Sequence, residues 1–302
     1  MRSPLLFACL FAFSPLIGHA PASEHEKPAP FENAGYTVTV FGSPGFRHDG
    51  AITGLAFSPD GKIIASTSWD LTARLWDTVT GAEIRHVEGH EDDLLCVAFA
   101  PDGKTFATGS VDNNVKLWSV ETGKEVAVLN GHAGDIYSVR YSNDGKTLIT
   151  ACADKLARVW DAATGREIRR FDGGARHLHS AAFSPDGKLA AGGGGDKILR
   201  VWDITENKRI AALEGHKSAI HAVSFSPDGK TLVSAGRDYK ICWWDVAEKK
   251  FLRASERTQA VDALAFSPDG KIIVSGGPEA HAALWNAQTG EKLRALENGY
   301  RE

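Results

Sequence analysis

A hydroxyl, an imidazole and a carboxylate recur at fixed spacing in this sequence, and together they are the groups of a nucleophile, a general base and an orienting acid. In the stretch that begins at His90, the hydroxyl belongs to Thr108 and the carboxylate to Asp112. Trp118 follows six residues after the carboxylate. One such set on its own would be compatible with acyl-transfer chemistry.

Repetition argues against catalysis by this set, because an enzyme has no use for four equal active sites at one fixed period. The complete sets are His48, Ser66, Asp70 and Trp76; His90, Thr108, Asp112 and Trp118; His132, Thr150, Asp154 and Trp160; and His216, Ser234, Asp238 and Trp244. We therefore interpret these residues as structural.

Two independent markers define an internal repeat. Tryptophans stand at positions 76, 118, 160, 202, 244 and 285, in steps of 42 residues and a last step of 41. A Ser-Pro-Asp-Gly-Lys string or a close variant keeps the same step from Ser58 onward. The sequence thus contains six repeats, which begin near residues 47, 89, 131, 173, 215 and 256.

Each repeat predicts four short antiparallel strands. Apolar runs such as Leu94–Phe99 have no polar alternation, so both faces of that strand must be covered, whereas Glu125–Leu129 alternates as an outer edge strand does. The Pro-Asp-Gly strings predict tight turns between strands. Sheets of this kind stacked radially make an all-β fold, the β-propeller.

The Gly-His, Trp-Asp and Pro-Asp-Gly markers at this period resemble the WD40 repeat family over about Arg47 to Leu296. The resemblance implies a propeller of four-stranded antiparallel blades, and we expect six blades, although seven is the commoner number in the family. It also implies that His, Ser or Thr, Asp and Trp form a hydrogen-bonded chain within each blade.

Two repeats depart from that pattern, and we expect their blades to be looser. The fourth repeat has Gly174 in place of the His and Gly192 in place of the hydroxyl, and the sixth has Arg257 and Glu279.

The N-terminus indicates export. Arg2 precedes an apolar stretch from Leu5 to Ile17 and a small-x-small site at residues 20–22, which is typical of a secretory signal peptide at 1–22. A polar segment at 23–35 is expected to be a flexible leader, and the propeller to occupy 36–302. We expect a secreted or periplasmic protein with no membrane span.

The closure of the ring has two interpretations. Tyr36–Phe41 has the pattern of one more outer strand and could pair with the inner strands of the last repeat. Alternatively, Glu291–Leu296 fills that place and the N-terminal strand docks outside it.

Composition narrows the function classes. The formal charge of −4 comes without a long basic run, so we expect no nucleic-acid partner, and the ordinary globular composition fits a monomer. No cofactor is expected. The resemblance implies a non-catalytic scaffold that binds a protein or peptide at the channel mouth.

The mouth positions vary between repeats, as expected when the scaffold and the site are separate. An aromatic and acidic mixture favours a segment carrying Lys or Arg, although tolerated loop residues would show the same variation. The candidate partner-binding residues are Trp69, Asp93, Leu95, Asp135, Tyr137, His179, His221, Arg237 and Asp262.

The alternative is an exported propeller enzyme or a metal-dependent hydrolase. His177 and His179 lie two apart on one strand, and His221 takes the place of His179 in the next repeat, so three imidazoles could share a metal ion. No acid of the fourth or fifth repeat is evidently placed to orient those rings, so we favour the scaffold.

Overall fold

A computed structural model describes residues 47–174, 176–256, 258–277 and 282–296. The predicted signal peptide, the leader and Tyr36–Phe41 lie outside the described residues, as do Arg257 and Glu279. No helix long and apolar enough to cross a bilayer occurs in the described ranges.

The described residues form six four-stranded sheets, here called blades 1 to 6, each with its strands in chain order and antiparallel. Blade 1 comprises β1 (Ile52–Phe57), β2 (Ile63–Ser68), β3 (Ala73–Asp77) and β4 (Glu83–Val87); blade 2 comprises β5 (Leu94–Phe99), β6 (Thr105–Ser110), β7 (Val115–Ser119) and β8 (Glu125–Leu129). Blade 3 comprises β9 (Ile136–Tyr141), β10 (Thr147–Cys152), β11 (Leu156–Asp161) and β12 (Glu167–Asp172); blade 4 comprises β13 (Leu178–Phe183), β14 (Leu189–Gly194), β15 (Leu199–Asp203) and β16 (Lys208–Leu213). Blade 5 comprises β17 (Ile220–Phe225), β18 (Thr231–Gly236), β19 (Ile241–Asp245) and β20 (Lys250–Ala254); blade 6 comprises β21 (Ala263–Phe266), β22 (Ile272–Gly276), β23 (Ala282–Asn286) and β24 (Lys292–Leu296).

The predicted fold class is confirmed: the protein is an all-β, six-bladed propeller. Strand β5 and strand β8 coincide with the apolar run and the alternating run identified in the sequence.

The Pro-Asp-Gly turns form as their residue types predict. In blade 1, the Asp60 carboxylate accepts hydrogen bonds from the Ser58 hydroxyl at 2.7 Å and from the Lys62 amide at 3.1 Å. Gly61 then takes a left-handed conformation at φ 72°, which is unfavourable for residues that have a side chain. This turn sets the antiparallel register of β1 and β2.

Apolar side chains pack between consecutive blades rather than in one central core. Phe106 and Trp118 of blade 2 are buried against Leu75 and Ala65 of blade 1. Four similar clusters join the following blades in order up to blades 5 and 6. The inner strands are therefore covered on both faces, as their continuous apolar runs require.

Two core positions of the first and last blades are less buried than their counterparts in blade 2. Ile52 of blade 1 and Leu284 of blade 6 are only partly buried, whereas their counterparts in blade 2, Leu94 and Leu117, are 1% and 2% exposed. Strand β24 pairs with β23 and completes blade 6. This is the place that the second interpretation of ring closure gives to Glu291–Leu296, while Tyr36–Phe41 lies outside the described residues.

Candidate functional site

The recurring polar set forms a hydrogen-bonded chain inside blade 2. The indole nitrogen of Trp118 donates to Thr108 Oγ1 at 2.8 Å, and that hydroxyl lies 2.8 Å from His90 Nε2. His90 Nδ1 lies 2.7 Å from the Asp112 carboxylate. The hydrogen bonds run in one direction: the indole donates to the hydroxyl, the hydroxyl donates to the imidazole, and the imidazole donates to the carboxylate.

The same chain forms in blades 1 and 5, through His48 and His216. Burial outweighs the attraction of Asp70 and lowers the pKa of His48, so the imidazole is neutral. Burial by itself would raise the pKa of Asp70, but hydrogen bonds from Thr72 and His48 hold it at about 2. A neutral imidazole thus bridges an ionised carboxylate and a hydroxyl.

Blade 3 departs from the predicted arrangement. Arg158, rather than Asp154, contacts His132 Nδ1, at 2.8 Å, and the same guanidinium nitrogen lies 2.7 Å from the Asp154 carboxylate. Because Arg158 can only donate, His132 accepts at Nδ1 and donates from Nε2 to Thr150 at 3.1 Å. Burial and the Arg158 charge lower the pKa of His132 to about 3.

Blade 4 replaces the chain by an ion pair. The guanidinium of Arg200 contacts both oxygens of Asp196, at 3.0 and 2.6 Å, and its side chain is almost fully buried. The ring of Trp202 turns so that a β-carbon at Gly192 would lie 2.9 Å from the indole six-membered ring. The Asp196 carboxylate therefore has a buried partner, the Arg200 guanidinium, although the imidazole is missing; the expectation of a looser blade stays a prediction.

One of the three mouth positions of each repeat has a backbone feature that the sequence did not reveal. In five blades the first strand contains a β-bulge, and the residue at the bulge is Thr53, Leu95, Tyr137, His179 or His221. A bulge redirects the side chain of its extra residue and is frequent beside functional sites.

A second backbone contact joins the other mouth positions. In blades 1 to 5, the backbone amide of the residue that precedes the turn acid donates a hydrogen bond to a backbone carbonyl. That carbonyl belongs to the residue three positions after the His position. The pairs are Trp69 to Ala51, Val111 to Asp93, Ala153 to Asp135, Gly195 to His177 and Arg237 to Ala219. The three variable positions of a repeat therefore lie together at one end of each blade.

Three of the bulge side chains, together with Asp262 of the sixth repeat, form a continuous row across blades 3 to 6. Tyr137 stacks on His179 with ring centroids 5.2 Å apart, and His179 stacks on His221 at 4.7 Å with planes only 9° apart. His221 Nδ1 lies 2.9 Å from Asp262, which also lies 3.6 Å from Arg237 Nε. We call Tyr137, His179, His221 and Asp262 the stacked row.

The environment of the stacked row sets its charge. Burial first, and then the nearby His221, His177 and Arg237, lower the pKa of His179 to about 4, so this ring is neutral at neutral pH. Burial and Asp135 raise the pKa of Tyr137 to about 12, and its hydroxyl donates to the Asp135 carboxylate at 3.2 Å. The row thus offers flat apolar faces with polar groups at both ends.

Trp69, Asp93 and Leu95 belong to blades 1 and 2 and stand apart from the stacked row. Trp69 is 42% exposed, and within the described residues no ring contact joins it to Tyr137. Burial and the adjacent Asp92 raise the pKa of Asp93. This side of the mouth therefore presents an exposed indole in blade 1 and two neighbouring carboxylates in blade 2.

A cavity of about 250 Å³ opens beside the stacked row, between blades 3 and 4. Its lining residues are Lys155, Arg176, His177, His179 and Gly195. Sequence reasoning missed Lys155 and Arg176, because it considered three positions per repeat and neither residue occupies one of them. Lys155 comes directly after Asp154, in the same turn, so a survey of the whole turn would have included it.

The three candidate metal-binding imidazoles do not form a chelating set. His179 and His221 are stacked with nearly parallel planes, so their in-plane lone pairs cannot converge on one ion. An acid does orient one ring, but it is Asp262 of the sixth repeat. Elsewhere, ligand atoms of His132, Cys152 and Asp154 lie within 4.8 Å of one another, but the Arg158 guanidinium contacts both His132 and Asp154 and would repel a cation.

Six four-stranded blades, three of them with this polar chain, define a WD-type β-propeller. The family model described as "WD domain, G-beta repeat" matches residues 43–77, 81–119, 123–161, 165–203, 207–245 and 249–286. The chain belongs to the WD40 repeat family.

A curated relative matches a short part of the chain. It is "Periodic tryptophan protein 2" of Arabidopsis thaliana, 41% identical over 64 residues, which are 19% of this chain and 7% of that protein. The chain thus spans a small fraction of this relative's length.

Proposed function

We propose that this protein is an exported, non-catalytic scaffold that binds a protein or peptide segment at the channel mouth. The WD40 propeller fold supports a protein-interaction scaffold, since propellers of this family bind protein partners and are typically not enzymes. The observation that carries the proposal is the stacked row, in which Tyr137, His179 and His221 lie on the bulges of one repeated backbone and the row continues to Asp262.

The chemistry of the mouth favours a segment that carries a basic residue beside an aromatic one. Trp69 and Tyr137 offer large flat surfaces of the kind that dominate binding energy, and Asp92, Asp93 and Asp135 offer negative charge. Charged side chains at the rim act mainly on the rate of association and on specificity.

Export is part of the proposal and rests on Arg2, the apolar stretch from Leu5 to Ile17 and the small residues at 20–22. N-terminal sequencing of the protein made in its own host should give a mature chain that begins near Ser23. Recovery of the chain with Met1 intact from the cytosol would disprove this part.

Peptides selected from a random display library on the mature protein would test the site. We expect the selected peptides to be enriched in basic and aromatic residues. Trp69→Ala, Tyr137→Ala and Asp93→Ala should each weaken binding about tenfold or more while the melting temperature stays nearly constant. The Asp93→Ala effect should shrink as salt rises, because a rim charge is screened.

Arg209 on the outer strand β16 provides the control, since its side chain is exposed far along the blade from the bulge. Arg209→Ala should leave the affinity unchanged. Peptides that ignore all three mouth substitutions but lose affinity with Arg209→Ala would place the site on the side of the propeller.

A further inference from the structure

The cavity between blades 3 and 4 is lined by groups that are cationic or can become so. Lys155 comes from the turn between β10 and β11, Arg176 and His177 precede β13, and His179 lies at the β13 bulge. Arg176 and His177 are exposed, so the cavity is open to a ligand from solvent. Four nitrogen-bearing side chains thus surround about 250 Å³ of free space.

The carboxylates of the neighbouring turns have other partners, and Asp172, four residues before Arg176, accepts from the Gly174 amide at 2.9 Å. Asp154, beside Lys155, pairs with Arg158 at 2.7 Å, and Asp135 accepts from the Tyr137 hydroxyl. Asp196, beside Gly195, is held by both nitrogens of Arg200. Among the described residues, no carboxylate lies within ion-pair distance of Lys155, Arg176 or His177. The cavity therefore holds positive charge that the protein does not itself neutralise.

Glycine at position 195 keeps the cavity open. A β-carbon there would lie 3.1 Å from Arg176 Cβ and 3.7 Å from His179 Nε2. The equivalent position carries a side chain in blades 1, 2, 3 and 5, as Trp69, Val111, Ala153 and Arg237. Among these five blades, blade 4 has no side chain at this position.

We propose that this cavity binds a small oxyanion, a carboxylate or a phosphate group, carried by a partner of the mouth. Lys155 and Arg176 supply charge-assisted hydrogen bonds, and the imidazoles of His177 and His179 supply further donors. The mouth is then bipolar, with acid at blades 2 and 3 and an anion site at blade 4. Binding of a free anion does not depend on the peptide-binding proposal, so the two can fail separately.

Phosphate and acetate are the probes, added to the mature protein at neutral pH against chloride of equal ionic strength. NMR signals of the His177 and His179 rings should shift in a saturable way up to roughly 0.1 M, a range that covers millimolar dissociation constants. A bound anion favours the protonated imidazole, so the pKa of His179, otherwise about 4, should rise. A response to acetate indicates an acidic side chain as the natural ligand, and a response to phosphate alone indicates a phosphorylated one.

Three variants test the cavity itself. Lys155→Asn and Arg176→Gln should each weaken anion binding about tenfold. Gly195→Val should abolish anion binding, because the valine side chain fills the cavity. Lys155 has φ 72°, and Asn113 holds the same place in blade 2 with φ 68°, so this substitution suits the backbone. Val111 is the blade 2 counterpart of Gly195.

Lys197→Asn is the matched control, because Lys197 has the same left-handed turn position in blade 4 but does not line the cavity. It should leave the affinity unchanged, and thermal unfolding would show that every variant is folded. The proposal is overturned if neither anion shifts the two rings, or if Lys197→Asn weakens binding as much as Lys155→Asn does.

Discussion

Blades 2 and 4 hold an acid at the same position by different chemistry. In blade 2 the acid is Asp112, bonded to the neutral imidazole of His90, which passes the hydrogen bonding on to Thr108 and Trp118. In blade 4 the guanidinium of Arg200 pairs directly with the acid. The carboxylate is thus the common requirement of the two blades, and its partner can change.

The comparison also shows that two glycines of blade 4 cannot be interpreted as simple losses of a side chain. Gly174 and Gly192 lack the imidazole and the hydroxyl, but a side chain at either place would collide with groups that already occupy the space. At Gly174 the colliding groups are Asp196 and Arg200, and at Gly192 the Trp202 ring. The two glycines therefore accommodate a different packing.

The largest expected effect is the loss of the blade 2 carboxylate. Asp112→Ala removes the acceptor for His90 and for the Glu91 amide, and should lower the free energy of unfolding by about 3 kcal/mol. Urea denaturation measures it. Glu121→Ala, an exposed acid of the same blade, should change it by less than about 0.5 kcal/mol. Equal losses in the two variants would contradict the network account.

A reciprocal exchange between blades 4 and 5 gives the next largest effect. Ser234→Gly removes the hydroxyl that bonds His216 and Trp244, and should cost about 2 kcal/mol. Gly192→Ser introduces the residue type of the other blades but crowds Trp202, so it should also destabilise, by about 1–3 kcal/mol. Stabilisation by Gly192→Ser would contradict the crowding against Trp202 and show that the ring can move aside for a hydroxyl.

The smallest expected effect is a pH dependence that the His132 chain of blade 3 provides and that its counterpart in blade 4, the ion pair of Arg200 and Asp196, has no imidazole to provide. The pKa of His132 is about 3 in the folded protein, against 6.5 for a free imidazole. Between these values the unfolded chain binds a proton that the folded chain does not, so His132 makes stability fall as the pH falls. The slope contribution is at most about 1.4 kcal/mol per pH unit.

His132→Gln tests this contribution, with the free energy of unfolding compared at pH 7 and pH 5. The variant should lose less stability than the unmodified protein on acidification. Gln288→Ala, an exposed change that removes no titratable group, is the control and should leave the pH dependence as it was. An unchanged pH dependence in His132→Gln would contradict a depressed His132 pKa.

Much of the fold could be predicted from local signals. The Trp spacing and the Pro-Asp-Gly turns identify six repeats, and the apolar run of Leu94–Phe99 coincides with an inner strand. These predictions succeed because strand pattern and turn chemistry depend on neighbouring residues. The place of β24 in blade 6 did not follow from such signals, since Tyr36–Phe41 and Glu291–Leu296 have similar patterns.

The candidate site was predictable in part. The sequence identified Tyr137, His179 and His221 as equivalent positions, but not that their rings stack, because the bulge that aims them depends on strand pairing. The sequence also did not predict that Arg158 contacts both His132 and Asp154.

The sequence by itself determined the family, the number of blades and the residues that repeat, because each of these depends on spacing along the chain. Tertiary structure decided which groups meet: Arg200 with Asp196, His221 with Asp262, and Lys155 with Arg176 around one cavity. The physical reason is that long side chains reach across turns and between blades. Their partners are chosen by distance, charge and free space in the folded protein, and spacing in the sequence does not contain these quantities.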